Sequence, residues 1–266
     1  MAVTGTRLYL KDWKRKMTAN NYTAFAKYYD ILMSDVNYEE IAQKINSVVN
    51  KHFPDADFLV DLACGTGSLS EELNKLGFSV LGVDISQEML SIAYDKKVRA
   101  GFNMQYVFGD MTKWSLNENK ADVIVCMLDS LNHLESFDEI KQTFQNVYNS
   151  LVEGGLFILD MNTPYKHKYI LSDNVFVYEE DSVYCVWQNE YYSEDNRVDI
   201  FLDFFGTDDN KNYKRFHEEF SEIACDSHAV KEFAKGKGFK YLESFDGFSD
   251  NKINDKSERI FYVFKK

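Results

Sequence analysis

Residues 61–67 read Asp-Leu-Ala-Cys-Gly-Thr-Gly, and this stretch decides the fold prediction. A short apolar run at 58–60 precedes it, and a segment of helical character at 68–76 follows it. The chain therefore passes from a strand that ends in a carboxylate, through a bend with two glycines, into a helix. Glycines let a ligand reach bare backbone, and the first turn of a helix offers unpaired N–H groups. The stretch predicts a site for a small polar ligand.

A second acid indicates what kind of ligand this is. Asp84 ends the next apolar run, 80–83, and lies 19 residues after Gly65. In nucleotide-binding βαβ units, an acid at about this distance holds the two hydroxyls of a ribose. The glycine bend and the two acids together predict a cofactor that contains adenosine.

The same stretch discriminates between such cofactors. A dinucleotide site of the G-x-G-x-x-G type requires a third glycine, but that position is Ser70. Asp61 lies four residues before the first glycine, where its charge repels a pyrophosphate and attracts an ammonium group. Both features favour S-adenosyl-L-methionine over NAD or FAD.

The hydrophobic pattern predicts a helical segment over 22–52, followed by alternating strands and helices. The predicted strands are 57–61, 79–83, 104–108, 122–127 and 155–160, and the predicted helices are 68–76, 86–96 and 137–151. Such alternation is typical of an α/β protein with a mostly parallel sheet and helices on both faces. Ligands of these sheets bind beyond the carboxyl ends of the strands.

After Pro164 the pattern changes to a period of two residues. About four antiparallel strands are predicted between 175 and 224, then a helix from 226 or 227 to 235, and final strands near 239–246 and 258–265. We therefore predict a core formed by 17–165 and 225–266, with an inserted antiparallel β lid at 166–224. Aromatic side chains of this lid are expected to line a pocket, bind a flat or cationic substrate, or form a dimer contact.

Composition limits the classes of partner. The 266 residues carry a net charge of −13, which argues against a nucleic-acid partner because phosphate binding needs a basic face. Residues 1–16 carry a net charge of +4, and we expect a disordered extension ahead of a natural start at Met17. A nucleic-acid or membrane contact is the alternative for this segment.

The four cysteines lack metal-site spacing, so no metal is predicted. No apolar run reaches the roughly 18 residues that span a bilayer, and we expect a cytoplasmic protein, either a monomer or a homodimer.

The motifs resemble, in order and spacing, those of the class I, Rossmann-like S-adenosylmethionine-dependent methyltransferases. Residues 61–67 resemble the first motif and 82–86 the second, while 109–111 resemble the third. Residues 127–134 resemble the loop after the fourth strand, and 154–157 the turn into the fifth. The resemblance extends over roughly residues 22–160 and implies that the cofactor is S-adenosyl-L-methionine, with S-adenosyl-L-homocysteine as its product.

A narrower likeness is to a bacterial subfamily of small methyltransferases that carry an antiparallel lid and mostly lack assigned substrates. Segments 22–33, 129–134, 160–164 and 257–261 carry this likeness, together with the antiparallel meander. Sugar N-methyltransferases and glycine N-methyltransferase are similar in outline. The resemblance therefore implies a small-molecule substrate.

The resemblance also implies roles for individual residues. Asp61 would lie near the methionine amino group, Asp84 would accept from both ribose hydroxyls, and Asp110 would accept from the adenine N6. Ile85 and Met111 would sandwich the adenine, and the alternative for both is simple core packing. The predicted cofactor-binding residues are Tyr22, Tyr29, Asp61, Ala63, Gly65, Gly67, Asp84, Ile85, Asp110, Met111 and Met127.

His133 is the predicted catalytic base, because it follows the fourth strand, where the reactive end of the cofactor is expected. The alternatives are a structural hydrogen bond or a substrate contact, and His217 is a weaker second candidate. The tetrapeptide N/D-P-P-Y/F of amino-methylating nucleic-acid enzymes is absent, and residues 129–132 read Asp-Ser-Leu-Asn instead. We predict a methyltransferase acting on a small molecule. The alternative function is a cofactor-binding assembly factor without turnover.

Overall fold

The computed structural model describes residues 25–209 and 211–266. The predictions for Tyr22 and for residues 1–16 therefore lie outside the described residues. The helices are α1 (Phe25–Leu32), α2 (Tyr38–His52), α3 (Ser68–Lys75), α4 (Gln87–Ala100), α5 (Phe137–Ser150) and α6 (Ser227–Gly236). The strands are β1 (Phe58–Leu62), β2 (Ser79–Asp84), β3 (Gln105–Phe108), β4 (Ala121–Cys126), β5 (Leu151–Asn162), β6 (Val175–Glu180), β7 (Val183–Tyr192), β8 (Arg197–Thr207), β9 (Tyr213–Ile223), β10 (Lys240–Asp246) and β11 (Arg259–Lys265). None of these helices is long and apolar enough to cross a membrane.

Seven strands form a central sheet in the order β10-β11-β5-β4-β1-β2-β3. Strand β1 pairs in parallel with β2 and with β4, so that Asp61 lies beside Gly82 and Val125. Strand β11 runs antiparallel to both β5 and β10. The predicted α/β fold with a mostly parallel sheet is confirmed. Because the strand order reverses beside β1, the chain opens a crevice at the carboxyl ends of β1 and β4.

Helices cover both faces of this sheet because side chains alternate along each strand between two cores. In β1, Leu59 belongs to the core that contains Ile45 of α2, whereas Val60 belongs to the core that contains Phe144 of α5. All four side chains are at most 1% exposed. Apolar burial on both faces holds β1 at the centre of the domain and thereby fixes the loop that follows it.

Strands β6 to β9 form a separate antiparallel sheet, called here the second sheet. Its central strand β8 shows the predicted alternation, and the buried side chains are Val198, Ile200, Leu202 and Phe204. Tyr28 of α1 packs on this face, with its ring 5.9 Å from that of Phe204. The second sheet lies within the segment predicted as a lid, and α1 is the helix that covers its apolar face.

Several element boundaries differ from the predicted ones. The described part of the segment predicted as helical over 22–52 forms two helices, because α1 ends at Leu32 and α2 starts after Asn37. The Asn37 side chain accepts a hydrogen bond from the N–H of Glu40 at 3.1 Å, which caps the new helix. Strand β5 is longer than the predicted 155–160 because it continues through a bulge at Gly154, where φ is +81°. A 3-10 turn at Ser130–His133 and a π-helical turn at Lys166–Leu171 were not predicted.

Candidate active site

The loop after β1 has an unusual backbone that glycine makes possible. Gly65 and Gly67 have φ angles of +55° and +78°, in the left-handed region. A Cβ on Gly67 would lie 2.3 Å from the hydroxyl oxygen of Tyr106, whereas a Cβ on Gly65 would meet nothing within 4 Å. The N–H groups of Ala63 and Cys64 both donate to the carbonyl of Val83, at 2.7 and 3.0 Å. Gly67 thus allows close packing, and Gly65 leaves open space for a ligand.

Asp84 connects this loop to the end of β2. One carboxylate oxygen accepts from the N–H of Gly65 and the other from the N–H of Ser86, both at 2.8 Å. Asp84 is 8% exposed, and burial raises its pKa despite these backbone donors. The carboxylate therefore shapes the glycine loop and also faces the crevice.

Asp61 is a buried carboxylate with one strong partner. It is 2% exposed and accepts a hydrogen bond from the hydroxyl of Ser70 at 2.6 Å. Burial raises the pKa of Asp61 to about 7, and the nearby charge of Asp84 adds to this rise, while the Ser70 hydroxyl opposes it. Ser70 occupies the position of the missing third glycine and holds the Asp61 carboxylate in place. An ammonium group beside Asp61 would favour its ionised form.

A cavity of about 450 Å³ joins the glycine loop to the second sheet. This volume lies in the range of small-molecule sites. The predicted residues that line it are Tyr29, Asp61, Ala63, Gly65, Asp84, Ile85, Met111, Met127 and His133. The second sheet contributes mainly aromatic and apolar side chains: Tyr178, Cys185, Trp187, Leu202, Phe220 and Glu222. The structure therefore brings most of the predicted site together in one place.

Asp110 and Gly67 are not among the residues that line this cavity. Asp110 accepts from the N–H and hydroxyl of Thr112 at 2.9 and 2.6 Å, and from the ammonium of Lys113 at 2.7 Å. Partial burial acts to raise the pKa of Asp110, but Lys113 and Thr112 together lower it. A contact of Asp110 with adenine remains a prediction.

Helix α1 is attached to the glycine loop and contributes Tyr29 to the cavity wall. Asp30 accepts a hydrogen bond from the hydroxyl of Thr66 at 2.6 Å and pairs with the ammonium of Lys96 at 3.0 Å. On its other side, α1 contacts the second sheet through Tyr28. The helix therefore lies over the cavity between its two halves.

The loop after β4 is held in a strained conformation. Leu128 and Asp129 have φ angles of +56° and +55°, which non-glycine residues rarely adopt. Their two N–H groups donate to the carboxylate of Asp160, at 2.5 and 3.1 Å. Arg259 from β11 pairs with both Asp160 and Asp129. These contacts fix the residues that follow, including His133.

His133 ends the 3-10 turn and faces the cavity. Its Nε2 lies 3.9 Å from Oε1 of Glu222, and its ring lies 5.1 Å from that of Phe220. Its Nδ1 is buried and forms no hydrogen bond within the described residues. His217, the second candidate, pairs with Asp203 at 3.1 Å and is not among the lining residues. Of the two candidates for the base, His133 lies in the cavity wall and His217 does not.

Sequence reasoning missed Glu222, Arg259 and Lys166, which all line the cavity. The sequence pattern of β9 could have identified Glu222. It stands on the alternating face of β9 that also carries Phe216 and Phe220, where an apolar residue is expected. A buried acid at such a position is informative because it needs partners.

Comparison with known proteins identifies the family. A family model described as "Methyltransferase domain" matches residues 59–155. A "putative methyltransferase" of Geobacillus sp. (strain WCH70) is 31% identical over 246 residues, which cover 92% of this chain and 99% of that protein. The chain belongs to the class I S-adenosylmethionine-dependent methyltransferases.

Two further relatives of this methyltransferase agree with that assignment. The crystal structure of an S-adenosylmethionine-dependent methyltransferase from Clostridium acetobutylicum ATCC 824 has a TM-score of 0.83 and 35% identity, and the match covers 92% of this chain and 99% of that one. A glycine/sarcosine N-methyltransferase of Aphanothece halophytica is 24% identical over 212 residues, with 78% and 76% coverage. The predicted family and cofactor are confirmed.

The residues of this methyltransferase fit S-adenosyl-L-methionine. The space beside Gly65 leaves the loop backbone accessible, and Asp84 presents a carboxylate at the end of β2, where ribose hydroxyls are bound in such sheets. Asp61 offers a buried acid that matches the ammonium of the methionine portion. Ile85, which is 43% exposed, offers an apolar surface for a flat base.

Proposed function

We propose that the methyltransferase transfers the methyl group to a small molecule bound between the glycine loop and the second sheet. One observation carries this proposal: the cavity that contains Asp61 and Asp84 also contains His133 and the aromatic wall formed by Trp187 and Phe220. A site for cofactor alone would not need the second wall. The acidic net charge of the chain favours a small acceptor over a nucleic acid.

The cofactor would be held by the predicted residues that line the cavity. Asp84 would accept from the ribose hydroxyls, Asp61 would pair with the methionine amino group, and Ile85 and Met111 would contact the adenine. Tyr29 from α1 and Met127 after β4 would also contact the bound cofactor. The presence of each of these residues in the cavity wall supports the roles that the resemblance implies.

Catalysis would depend on positioning and on the exclusion of water. When bound, S-adenosyl-L-methionine supplies a methyl group whose carbon–sulfur bond breaks, with its electron pair passing to sulfur, as the acceptor lone pair bonds to carbon. The loop after β4, held by Asp160 and Arg259, would fix His133 beside the acceptor. The imidazole of His133 would accept the proton that the acceptor loses. Trp187 and Phe220 would keep water away from the reacting atoms.

Nitrogen is the acceptor atom to test first, because the relative from Aphanothece halophytica is named for N-methylation of glycine and sarcosine. Purified protein should be incubated with S-adenosyl-L-methionine and a panel of amines, alcohols and thiols. Release of S-adenosyl-L-homocysteine and the mass of the product are then measured. We expect acceptor-dependent release for part of the panel, and release that is greatly reduced in Asp84→Ala. Tight binding of the cofactor without transfer to any acceptor would contradict the proposal and favour the alternative of a non-catalytic binding protein.

A further inference from the structure

A buried acid from the second sheet lies in the cavity wall and is not among the residues proposed to hold the cofactor. Glu222, near the end of β9, is 4% exposed and lines the cavity. Burial of a carboxylate costs free energy unless the charge is compensated. Burial acts to raise the pKa of Glu222, but the neighbouring His167 and His133 lower it on balance. A carboxylate buried at this position is stabilised by a positively charged partner.

The two carboxylate oxygens of Glu222 have different surroundings. Oε2 accepts a hydrogen bond from the side-chain amide of Asn162 at 3.0 Å and lies 3.3 Å from Nε2 of His167. Oε1 accepts no hydrogen bond from the residues in the described ranges, and Nε2 of His133 lies 3.9 Å away, beyond hydrogen-bond distance. The chain thus anchors one oxygen and leaves the other for a donor that enters the cavity.

Three groups converge around this oxygen. Asp129, His133 and Glu222 each place one nitrogen or oxygen atom so that the three atoms lie within 4.8 Å of one another. All three residues line the cavity. An ammonium group can donate to three acceptors at once, and it fits a cluster of this size.

The surrounding charges favour a single positive charge over a divalent metal ion. Oδ1 of Asp129 already accepts from Arg259 at 2.7 Å, and Oδ2 accepts from Asn162 at 2.7 Å. Arg259 and Lys166 bring two positive charges to the same wall. Arg259 and Lys166 would repel a divalent ion more strongly than a monovalent ammonium. An ammonium group can be held by the free oxygen of Glu222, with weaker contacts to Asp129 and His133. Aromatic rings nearby, including Phe220 and Trp187, also favour a cationic nitrogen.

We propose that Glu222, together with Asp129 and His133, binds the ammonium group of an amine acceptor. This inference rests on the proposed function and specifies its substrate class. The bound ammonium would pass one proton to the imidazole of His133. The freed lone pair would then bond to the methyl carbon as the carbon–sulfur bond breaks and its electron pair passes to sulfur, which leaves as S-adenosyl-L-homocysteine. The methylated nitrogen becomes positively charged again and stays complementary to Glu222. The second sheet therefore selects amines over alcohols.

The test measures binding in the presence of S-adenosyl-L-homocysteine, so that it does not depend on turnover. Protein saturated with the product is titrated at neutral pH with matched pairs of probes, such as phenethylamine and 2-phenylethanol, or ethanolamine and ethylene glycol. In the wild type we expect at least one amine to bind about tenfold or more tightly than its alcohol. Glu222→Gln keeps the shape of the side chain but removes its charge, and should abolish this preference while leaving product binding unchanged. Glu219→Gln, at an exposed site on the same strand, is the matched control and should behave as wild type.

Several results would overturn the inference. These are the absence of any amine preference across the pairs, or a preference that persists in Glu222→Gln. Tight binding of Mn²⁺ that depends on Glu222, without amine selectivity, would indicate a metal site instead. The inference and the proposed function can fail separately. Methylation of alcohols or thiols that is unaffected by Glu222→Gln would refute the amine assignment alone, whereas Glu222-dependent amine binding without methyl transfer would refute turnover alone.

Discussion

Asp61 should make cofactor binding depend on pH. Its carboxylate is buried and its pKa is raised to about 7, mainly by burial and further by the charge of Asp84. If Asp61 pairs with the ammonium of the methionine portion, only the ionised form binds well. Affinity for S-adenosyl-L-homocysteine should therefore strengthen as pH rises through 7. The sign follows because protonated Asp61 predominates below its pKa and must lose its proton on binding.

The size of the effect follows from the same pKa. At about pH 6 a group with a pKa near 7 is roughly nine-tenths protonated, and at about pH 8 it is roughly nine-tenths ionised. The dissociation constant should fall about tenfold over this interval, which is about 1.4 kcal/mol. Near pH 7, binding should release about half a proton per site.

Isothermal titration calorimetry in buffers of different ionisation enthalpy measures both quantities. Because burial also raises the pKa of Asp84, the decisive comparison is with Asp61→Asn, which keeps an acceptor for Ser70 but cannot ionise. This variant should bind more weakly than wild type at pH 8 and should lose most of the pH dependence. The reasoning would be refuted by wild-type affinity that is flat between pH 6 and 8, or by an equal slope in the variant.

The remaining predictions concern the other parts of the site. Asp84→Ala should weaken S-adenosyl-L-homocysteine binding tenfold or more, because it removes charge-assisted hydrogen bonds of about 1.5–3 kcal/mol. Unchanged affinity in calorimetry would contradict the proposal that Asp84 binds the ribose hydroxyls. His133→Ala should lower kcat about a hundredfold and leave product binding intact. His217→Ala, the control, should retain activity. Loss of product binding in His133→Ala would mean that the base assignment is wrong. Gly67→Ala should lower the free energy of unfolding by about 1–3 kcal/mol in urea titrations, because its Cβ would meet Tyr106. Gly65→Ala should cost less stability and mainly weaken cofactor binding. Equal losses of stability in the two variants would argue against these separate roles for the two glycines.

The cofactor half of the site could be predicted because its determinants are local in sequence. One βαβ unit carries Asp61, both glycines and Asp84, and the parallel pairing of β1 with β2 is what brings the two acids together. The link from Asp84 to the N–H of Gly65 follows from that geometry. Even the break between α1 and α2 had a local signal, since Asn37 is a favourable cap.

Apart from His133 and the aromatic character of the lid, the residues of the acceptor half could not be predicted, because distant segments form it. Asn132 donates to the carbonyl of Ile223, 91 residues away, and Arg259 reaches Asp129 across 130 residues. These contacts depend on how the second sheet and β11 pack against the loop after β4, which no local pattern specifies. The positive φ angles of Leu128 and Asp129 are likewise imposed by Asp160 and not by residue type.

A crystal structure of the protein with S-adenosyl-L-homocysteine bound tests the central claim most directly. The account predicts ribose hydroxyls within hydrogen-bond distance of Asp84, the amino group beside Asp61, and the sulfur directed towards His133 and Glu222. Product bound elsewhere, or bound at the glycine loop with its sulfur turned away from the second sheet, would contradict it.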